Sequence, residues 1–200
     1  MTHFLRCLSH AALAASLLLI STACVHSVED DIDLTPTPSE DKDYAKALDK
    51  ATQARIVYRE FETRYQVTAT YLSPEFRGAF SKRLERVYKK GETNFTEADQ
   101  KAGFFVSIHS PDSDRTDLSN PEHWTVLLDS KEGPLKPILV KRLTDKERSR
   151  AFFESVNEWT TEYLIVFEAP SVNANSPDLV EKTHINLTFA NADAQVSLTW

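Results

Sequence analysis

The sequence predicts a mainly β protein, an antiparallel β-sandwich of immunoglobulin-like arrangement with a helical insertion near residues 74–101. Two observations support this class. Stretches of β-branched and aromatic residues alternate with polar residues at a period of two, which is the side-chain period of a strand. Turn-forming residues separate about seven or eight such stretches, and a string of short strands with turns between them is typical of a sandwich.

The first predicted elements are a short helix over residues 44–54 and two strands. Apolar side chains at helical spacing predict the helix, and Asp41 or Asp43 can cap its first turn. Clean alternation over residues 65–71 predicts a strand, and the alternation at positions 56–58 predicts the strand before it.

The strongest helix signal begins at Ser73. A serine cap, a proline at the first helical position and an acid in the first turn together mark a helix start. An apolar stripe follows at steps of four, four and three: Phe76, Phe80, Leu84 and Val87. Basic residues crowd the last turns, where they suit the helix dipole, and Gly91 can end the helix. Helix stabilisation explains this basic end better than contact with acidic lipid or glycan.

Most of the remaining chain is predicted to be strand. The predicted strands are residues 104–110, 124–128, 137–143 and 159–168, and a hairpin covers 185–200. Short helices are predicted over 96–100 and 145–153, and polar loops over 111–121 and 171–178. The aromatic residues predicted to lie in the core of the last third are Phe152, Phe153, Trp159, Tyr163 and Phe167.

The first 23 residues are typical of a secretory signal. Arg6 makes the start positive, and residues 11–20 form an uncharged apolar run. As a helix this run would measure about 15 Å, roughly half the thickness of the hydrocarbon layer of a bilayer. It is therefore too short for a spanning helix.

The cleavage region, Ser21-Thr22-Ala23-Cys24, resembles a bacterial lipobox. Lipoboxes usually carry Leu where this chain has Ser21. The resemblance implies cleavage before Cys24 and attachment of lipid to its sulfur, and two or more acyl chains would anchor the chain stably in a bilayer. The alternative is an ordinary signal peptide followed by an incidental cysteine. The chain also resembles small bacterial envelope lipoproteins, at residues 68–74, at residues 104–106 and at the strand that ends on Trp200. This resemblance implies no activity.

The cysteine usage agrees with lipidation. The chain has two cysteines, and Cys7 would leave with the signal, so no internal disulfide can form. A free thiol is a liability in an oxidising compartment, and a thioether to lipid removes it.

Val25, rather than Asp, follows Cys24. In Gram-negative lipoproteins this implies the outer membrane.

The charge of the chain disfavours nucleic acid as a partner. The formal net charge is −7, and Arg6 is the only Lys, Arg, Asp or Glu in the first 23 residues. Nucleic-acid binding depends on cations that neutralise phosphates.

Residues 24–43 are acidic and contain two prolines, which predicts an extended tether before a single domain over residues 44–200. A cation or partner site is the weaker interpretation of this acidic run.

A loop of three acids is the best candidate metal site. Asp112, Asp114 and Asp117 could offer the hard oxygen ligands that Ca²⁺ prefers. The EF-hand pattern fails because Asp117 stands at its glycine position and His123 at its twelfth position. Arg115 also supplies a counter-charge, so a solvated turn is the preferred interpretation and neither a metal nor a cofactor is expected.

No catalytic motif stands out in the sequence. His109, His123 and His184 lie on or beside predicted strands but lack the spacing of a zinc site. No Gly-x-Ser-x-Gly elbow selects a nucleophile. The acids at 154, 158 and 162 recur every four residues, but the predicted strand from 159 prevents them from sharing a helix face.

The sequence therefore favours a non-catalytic lipoprotein of the cell envelope. Its domain would bind an envelope protein or a glycan while acylated Cys24 holds the chain on the bilayer. The first alternative is a hydrolase that acts on envelope glycan or peptide. The second is a calcium-dependent adhesion module that uses the Asp112–Asp117 loop.

The first prediction concerns the anchor. Because the lipobox resemblance makes the Cys24 sulfur the acylated atom, Cys24→Ser should abolish incorporation of labelled palmitate in bacterial cells. Cys7→Ser is the matched control and should be labelled like the parent chain. Labelling of the Cys24→Ser variant at the parental level would exclude this anchor.

Overall fold

The computed structural model describes residues 41–89, 95–130, 133–170 and 185–200, with the backbone alone at 170. These residues form two antiparallel sheets and a few helices, so the predicted mainly β sandwich is confirmed. Cys24, the tether up to residue 40, Gly91, His184 and the predicted loop at 171–178 lie outside the described residues.

Three helices and nine strands make up the described chain. The helices are α1 (Lys42–Ala51), α2 (Pro74–Tyr88) and α3 (Lys146–Arg150). The strands are β1 (Thr52–Arg59), β2 (Glu62–Tyr71), β3 (Lys101–His109), β4 (Thr125–Ser130), β5 (Gly133–Leu135), β6 (Pro137–Leu143), β7 (Thr161–Pro170), β8 (Asn186–Ala190) and β9 (Gln195–Thr199). The helical insertion is confirmed by α2 and by a 3₁₀ turn at Thr96–Ala98.

The strands divide into a five-stranded sheet, β1-β2-β3-β7-β6, and a four-stranded sheet, β5-β4-β8-β9. Consecutive strands β1, β2 and β3 lie side by side in one sheet. The immunoglobulin arrangement instead places its first, second, fifth and fourth strands in one sheet and the others opposite. The immunoglobulin-like arrangement is therefore not confirmed.

The first apolar core lies between the two sheets. Alternate residues of each strand point into it, as the period of two predicts. Its largest fully buried side chains are Tyr65, Tyr71, Phe104, Tyr163, Phe167 and Phe189.

A second apolar core covers the other face of the five-stranded sheet. The helices α1 and α2 and the segment after α3 pack there against Phe105, Leu164 and Val166. Phe153 stacks on Phe105, with ring centroids 3.7 Å apart and planes 8° from parallel. Because both faces of β3 and β7 are buried, these strands need apolar residues at nearly every position.

The helix α2 begins as predicted. The Ser73 hydroxyl accepts a hydrogen bond from the Phe76 amide at 3.1 Å, and Phe76, Phe80 and Leu84 are buried. Val87 was expected in the same stripe but is 48% exposed, because it lies in the last turn, beyond the buried part of the helix. The left-handed backbone of Lys89 ends the helix.

Asp41 stands at the N-cap position of α1, but its side chain does not cap the helix. Its carboxylate instead pairs with Arg83 at 3.1 Å and Arg86 at 3.3 Å, both on α2. Tyr44, one turn further, donates a hydrogen bond from its hydroxyl to the Phe152 carbonyl at 2.7 Å. Burial raises the pKa of Tyr44, so the hydroxyl remains a donor. The start of the domain is thus fixed to the helical layer.

The prediction for Trp159 was wrong. Trp159 is 77% exposed, whereas the other four aromatic residues predicted for that core are buried. The reason is that β7 begins only at Thr161, so Trp159 lies in the turn before the strand. The helix predicted over 145–153 is also shorter than expected, and the chain turns after Arg150 to bring Phe152 and Phe153 into the second core.

Within the described ranges no helix is both long and apolar enough to cross a membrane.

The second prediction concerns the helical layer. Phe153→Ala should lower the free energy of unfolding by about 3–5 kcal/mol, because it leaves a cavity against Phe105. Trp159→Ala removes a larger but exposed ring and should change stability by less than about 0.5 kcal/mol. Urea unfolding of both variants measures the difference. Equal losses would contradict the packing described here.

Candidate functional site

One end of the sandwich collects several loops. Here β1 turns into β2, β3 ends, β7 begins and β8 turns into β9. We call this the loop end. Direct contacts join its parts, because Arg59 pairs with Asp193 at 3.2 Å and the Thr116 and Thr161 hydroxyl oxygens lie 3.1 Å apart.

The loop end contains a pocket of about 360 Å³. Its lining comes from the start of β2, the loop before β4 and the turn between β8 and β9: Tyr65, Arg115, Glu122, His123, Trp124, Asn191, Ala192 and Asp193. This volume lies near the lower limit of the range for small-molecule sites.

A chain of ion pairs closes one wall of the pocket. The Nε of Arg115 donates to Asp112 at 2.8 Å, and its Nη1 donates to Asp193. Arg59 binds the other carboxylate oxygen of Asp193. The hydrogen bond from Arg115 to Asp112 is the main reason that the pKa of Arg115 is raised. Two carboxylates therefore hold this guanidinium in a fixed position and compensate its charge.

Buried aromatic residues support the pocket from below. The Tyr65 and Trp124 rings meet edge to face at 5.1 Å, and both side chains are nearly inaccessible. The Trp124 indole donates to the Arg115 carbonyl at 2.9 Å, and Asn191 donates to the Tyr65 hydroxyl at 3.0 Å. The Asn191 side-chain oxygen accepts from the Asp193 and Ala194 amides, which shapes the turn. The base of the pocket is thus rigid.

An exposed aromatic residue, Phe61, lies on the turn between β1 and β2, two residues after Arg59, which pairs with Asp193 at the pocket. Phe61 is fully exposed. Tyr58 is 63% exposed, but it lies in β1, and its side chain points to the face opposite that of Arg59. Glu60 and Phe61 both have positive φ, at 54° and 67°, so the turn imposes a conformation that bulky residues rarely adopt. The chain holds a large apolar side chain in solvent on a strained turn, an arrangement that is more common at functional sites.

The three candidate calcium ligands do not converge. Asp112 pairs with Arg115, and Asp117 accepts hydrogen bonds from the Ser119 amide and hydroxyl. The hydrogen bond from the Ser119 hydroxyl is the largest cause of the lowered pKa of Asp117. Asp114 lies in the short 3₁₀ turn between them. In the part of the chain that the structure describes, no three metal-ligating side chains are grouped to hold an ion.

The candidate zinc and acid residues are also separate. The His109 Nδ1 lies 3.1 Å from the Trp159 carbonyl, whereas His123 lines the pocket. Glu158 pairs with Arg150, and Glu162 lies buried on β7. The strand predicted from 159 is observed from Thr161, and it places Glu162 on β7, apart from the other two acids.

Burial raises the pKa of Glu162, against the opposing effects of the Thr160 hydroxyl and Lys146. A raised pKa can mark a general acid, but only where the carboxyl meets substrate. Glu162 is 1% exposed and does not line the pocket, so we assign it a structural role.

The sequence identified Arg115 only as a counter-charge and His123 only as a zinc candidate. It gave no signal for Glu122 or Asp193 as site residues. Pairing between residues 115 and 193 depends on the packing of two sheets, which local patterns do not encode. Comparison of the chain with protein-family models, curated proteins and solved structures finds no match.

The third prediction concerns pH. The folded pKa of Glu162 lies above its ordinary value of about 4.5, so the folded state retains a proton that the unfolded state releases. Stability contributed by this group is present below about pH 4.5 and is lost as the pH rises through the folded pKa. Glu162→Gln imitates the protonated form, and it should unfold at higher urea than the parent at pH 7 and equally at pH 4.

Glu154→Gln, at an exposed position, is the control and should leave the pH dependence unchanged. Lower stability of Glu162→Gln at pH 7 would show instead that the ionised carboxylate stabilises the fold through Lys146.

Proposed function

We propose that this chain is a non-catalytic binding module of the bacterial cell envelope, with the loop end as its binding surface. Acylated Cys24 would anchor the chain, and residues 24–43 would serve as an acidic tether. The lipobox resemblance and the absence of a second cysteine after the signal support the anchor. The residue after Cys24 supports the outer membrane as its location.

The observation that carries the proposal is the juxtaposition of a polar pocket and the exposed side chain of Phe61. Binding surfaces combine polar groups with aromatic anchors. At the loop end Arg59 connects the two features directly, because it precedes the strained turn in sequence and pairs with Asp193 at the pocket. A partner that covers both features would bury Phe61 and contact ion pairs that are already formed.

The geometry supports binding better than hydrolysis. Glycan hydrolysis requires two carboxyl groups in reach of one bond, one of which can carry a proton. Of the two acids that line the pocket, Asp193 is held by two guanidinium groups, which leaves Glu122 as the one without an ion pair to another described residue. The calcium-dependent alternative lacks a grouped set of ligands within those residues.

The fourth prediction tests the surface in cells. A photo-crosslinking amino acid at position 61 of the full chain should capture a specific envelope component, because this side chain is fully exposed at the loop end. Mass spectrometry and glycan staining would identify the adduct.

The same amino acid at position 138 is the control. Ile138 is 52% exposed on β6, near the Pro137–Phe167 pair at the opposite end of the sheet. Capture at 138 but not at 61, or the same adducts at both positions, would contradict the assignment of the loop end.

A further inference from the structure

We propose that the ligand of the loop end is a neutral saccharide, with one sugar in the pocket and the adjoining sugar against Phe61. This inference rests on the proposed function for the location of the binding surface. It adds the chemical class of the ligand, which follows from three properties of the site.

The first property is charge. An anion in the pocket would need an unpaired cation in the lining, but the Lys or Arg that lines it is Arg115, whose guanidinium is bound by Asp112 and Asp193, and Arg59 shares Asp193. Glu122 adds a further negative group to the lining. Glu60 and Glu62 lie on either side of Phe61 in the sequence. A phosphate or carboxylate ligand would be repelled here, whereas an uncharged one would not.

The second property is the mixture of donors and acceptors. A sugar hydroxyl both donates and accepts, so it needs the two kinds of partner side by side. The pocket offers the Glu122 carboxylate as acceptor, the Arg115 guanidinium as donor and the His123 ring in either role. The ion pairs fix Arg115 before a ligand arrives, which reduces the ordering cost of binding.

The third property is the exposed ring of Phe61. The C–H face of a sugar ring is weakly positive, and the face of an aromatic ring is negative, so the two stack favourably. Phe61 follows Arg59 by two residues across the tight turn, and Arg59 pairs with the pocket residue Asp193 at 3.2 Å, so the turn that carries this ring adjoins the polar wall. The strained turn then has a function, because it keeps the Phe61 ring in solvent, where the ring can stack on a sugar instead of packing inward.

A lipid surface is the competing use of an exposed aromatic turn. Tyr and Trp side chains favour the membrane interface. The observations favour the saccharide, since the two acids beside Phe61 oppose approach to anionic lipid and the chain carries a net charge of −7.

The fifth prediction tests the ligand class with the chain from residue 24 carrying Cys24→Ser, which removes the anchor. Both apolar cores lie within the described part of residues 41–200, so this soluble form retains the folded domain. Maltotetraose, cellotetraose and tetra-N-acetylchitotetraose are titrated against it by calorimetry and by NMR of the Trp124 indole N–H. At least one should bind and shift this signal, because Trp124 is a lining residue and its indole N–H donates to the carbonyl of the pocket residue Arg115.

Two variants locate the binding. Phe61→Ala should weaken it by about two- to tenfold through loss of stacking, and Glu122→Ala should weaken it by about tenfold. Ile138→Ala and Glu168→Ala are the matched controls at the other end of the sheet and should bind like the parent. Unchanged melting temperatures would show that the variants are folded.

The proposal is overturned if none of the three saccharides binds, or if Phe61→Ala and Glu122→Ala bind like the parent. It is also overturned if vesicles of phosphatidylglycerol bind the soluble chain and no saccharide does. Crosslinking at position 61 distinguishes failure of the saccharide proposal from failure of the proposed binding function. A captured protein with no saccharide binding leaves the loop end as the binding surface and refutes only the ligand class.

Discussion

The structure depends on the burial of the five-stranded sheet on both faces. Phe104 and Phe105 are neighbours on β3, yet one enters the core between the sheets and the other enters the core under the helices. A strand with apolar residues on both sides must be covered on both sides. The second sheet provides one cover, and α1, α2 and the residues after α3 provide the other. Polar and strained features are consequently concentrated where the strands end.

Local patterns in the sequence predicted the elements well because local chemistry determines them. The serine, proline and acid at 73–75 begin a helix wherever they occur, and the alternation at 65–71 is that of a half-buried strand. The apolar run from Phe104 also predicted a strand, but not the two covers that it requires. Trp159 was placed wrongly because an aromatic residue next to an apolar run gives no sign of whether the strand has begun.

The site was less predictable than the fold. Its wall joins residues 59, 112, 115 and 193, and the longest of these separations spans most of the domain. The loop acids attracted attention as cation ligands, whereas Asp112 serves to hold an arginine. An acid and a base three residues apart are too common on surfaces to indicate a site. Only the packing of the β8–β9 turn beside the loop before β4 gives that pair a role.

The path of the chain from residue 41 to the β1–β2 turn has a mechanical consequence. A load applied between Asp41 and Phe61 would act first on α1 and β1, and both of these elements are packed: α1 buries Tyr44, Ala47 and Ala51 in the second core, and β1 pairs with β2. The strand β1 is already extended, so any lengthening of this path would come from unwinding of the ten-residue α1. Three sets of contacts hold that helix at its first turn and at its end: Asp41 with its two arginines, the Tyr44 hydroxyl on Phe152, and the Trp200 indole, which donates to the Ala51 carbonyl at 2.6 Å. Unwinding α1 would require these contacts and part of the second core to break, so the start of the domain resists a pull.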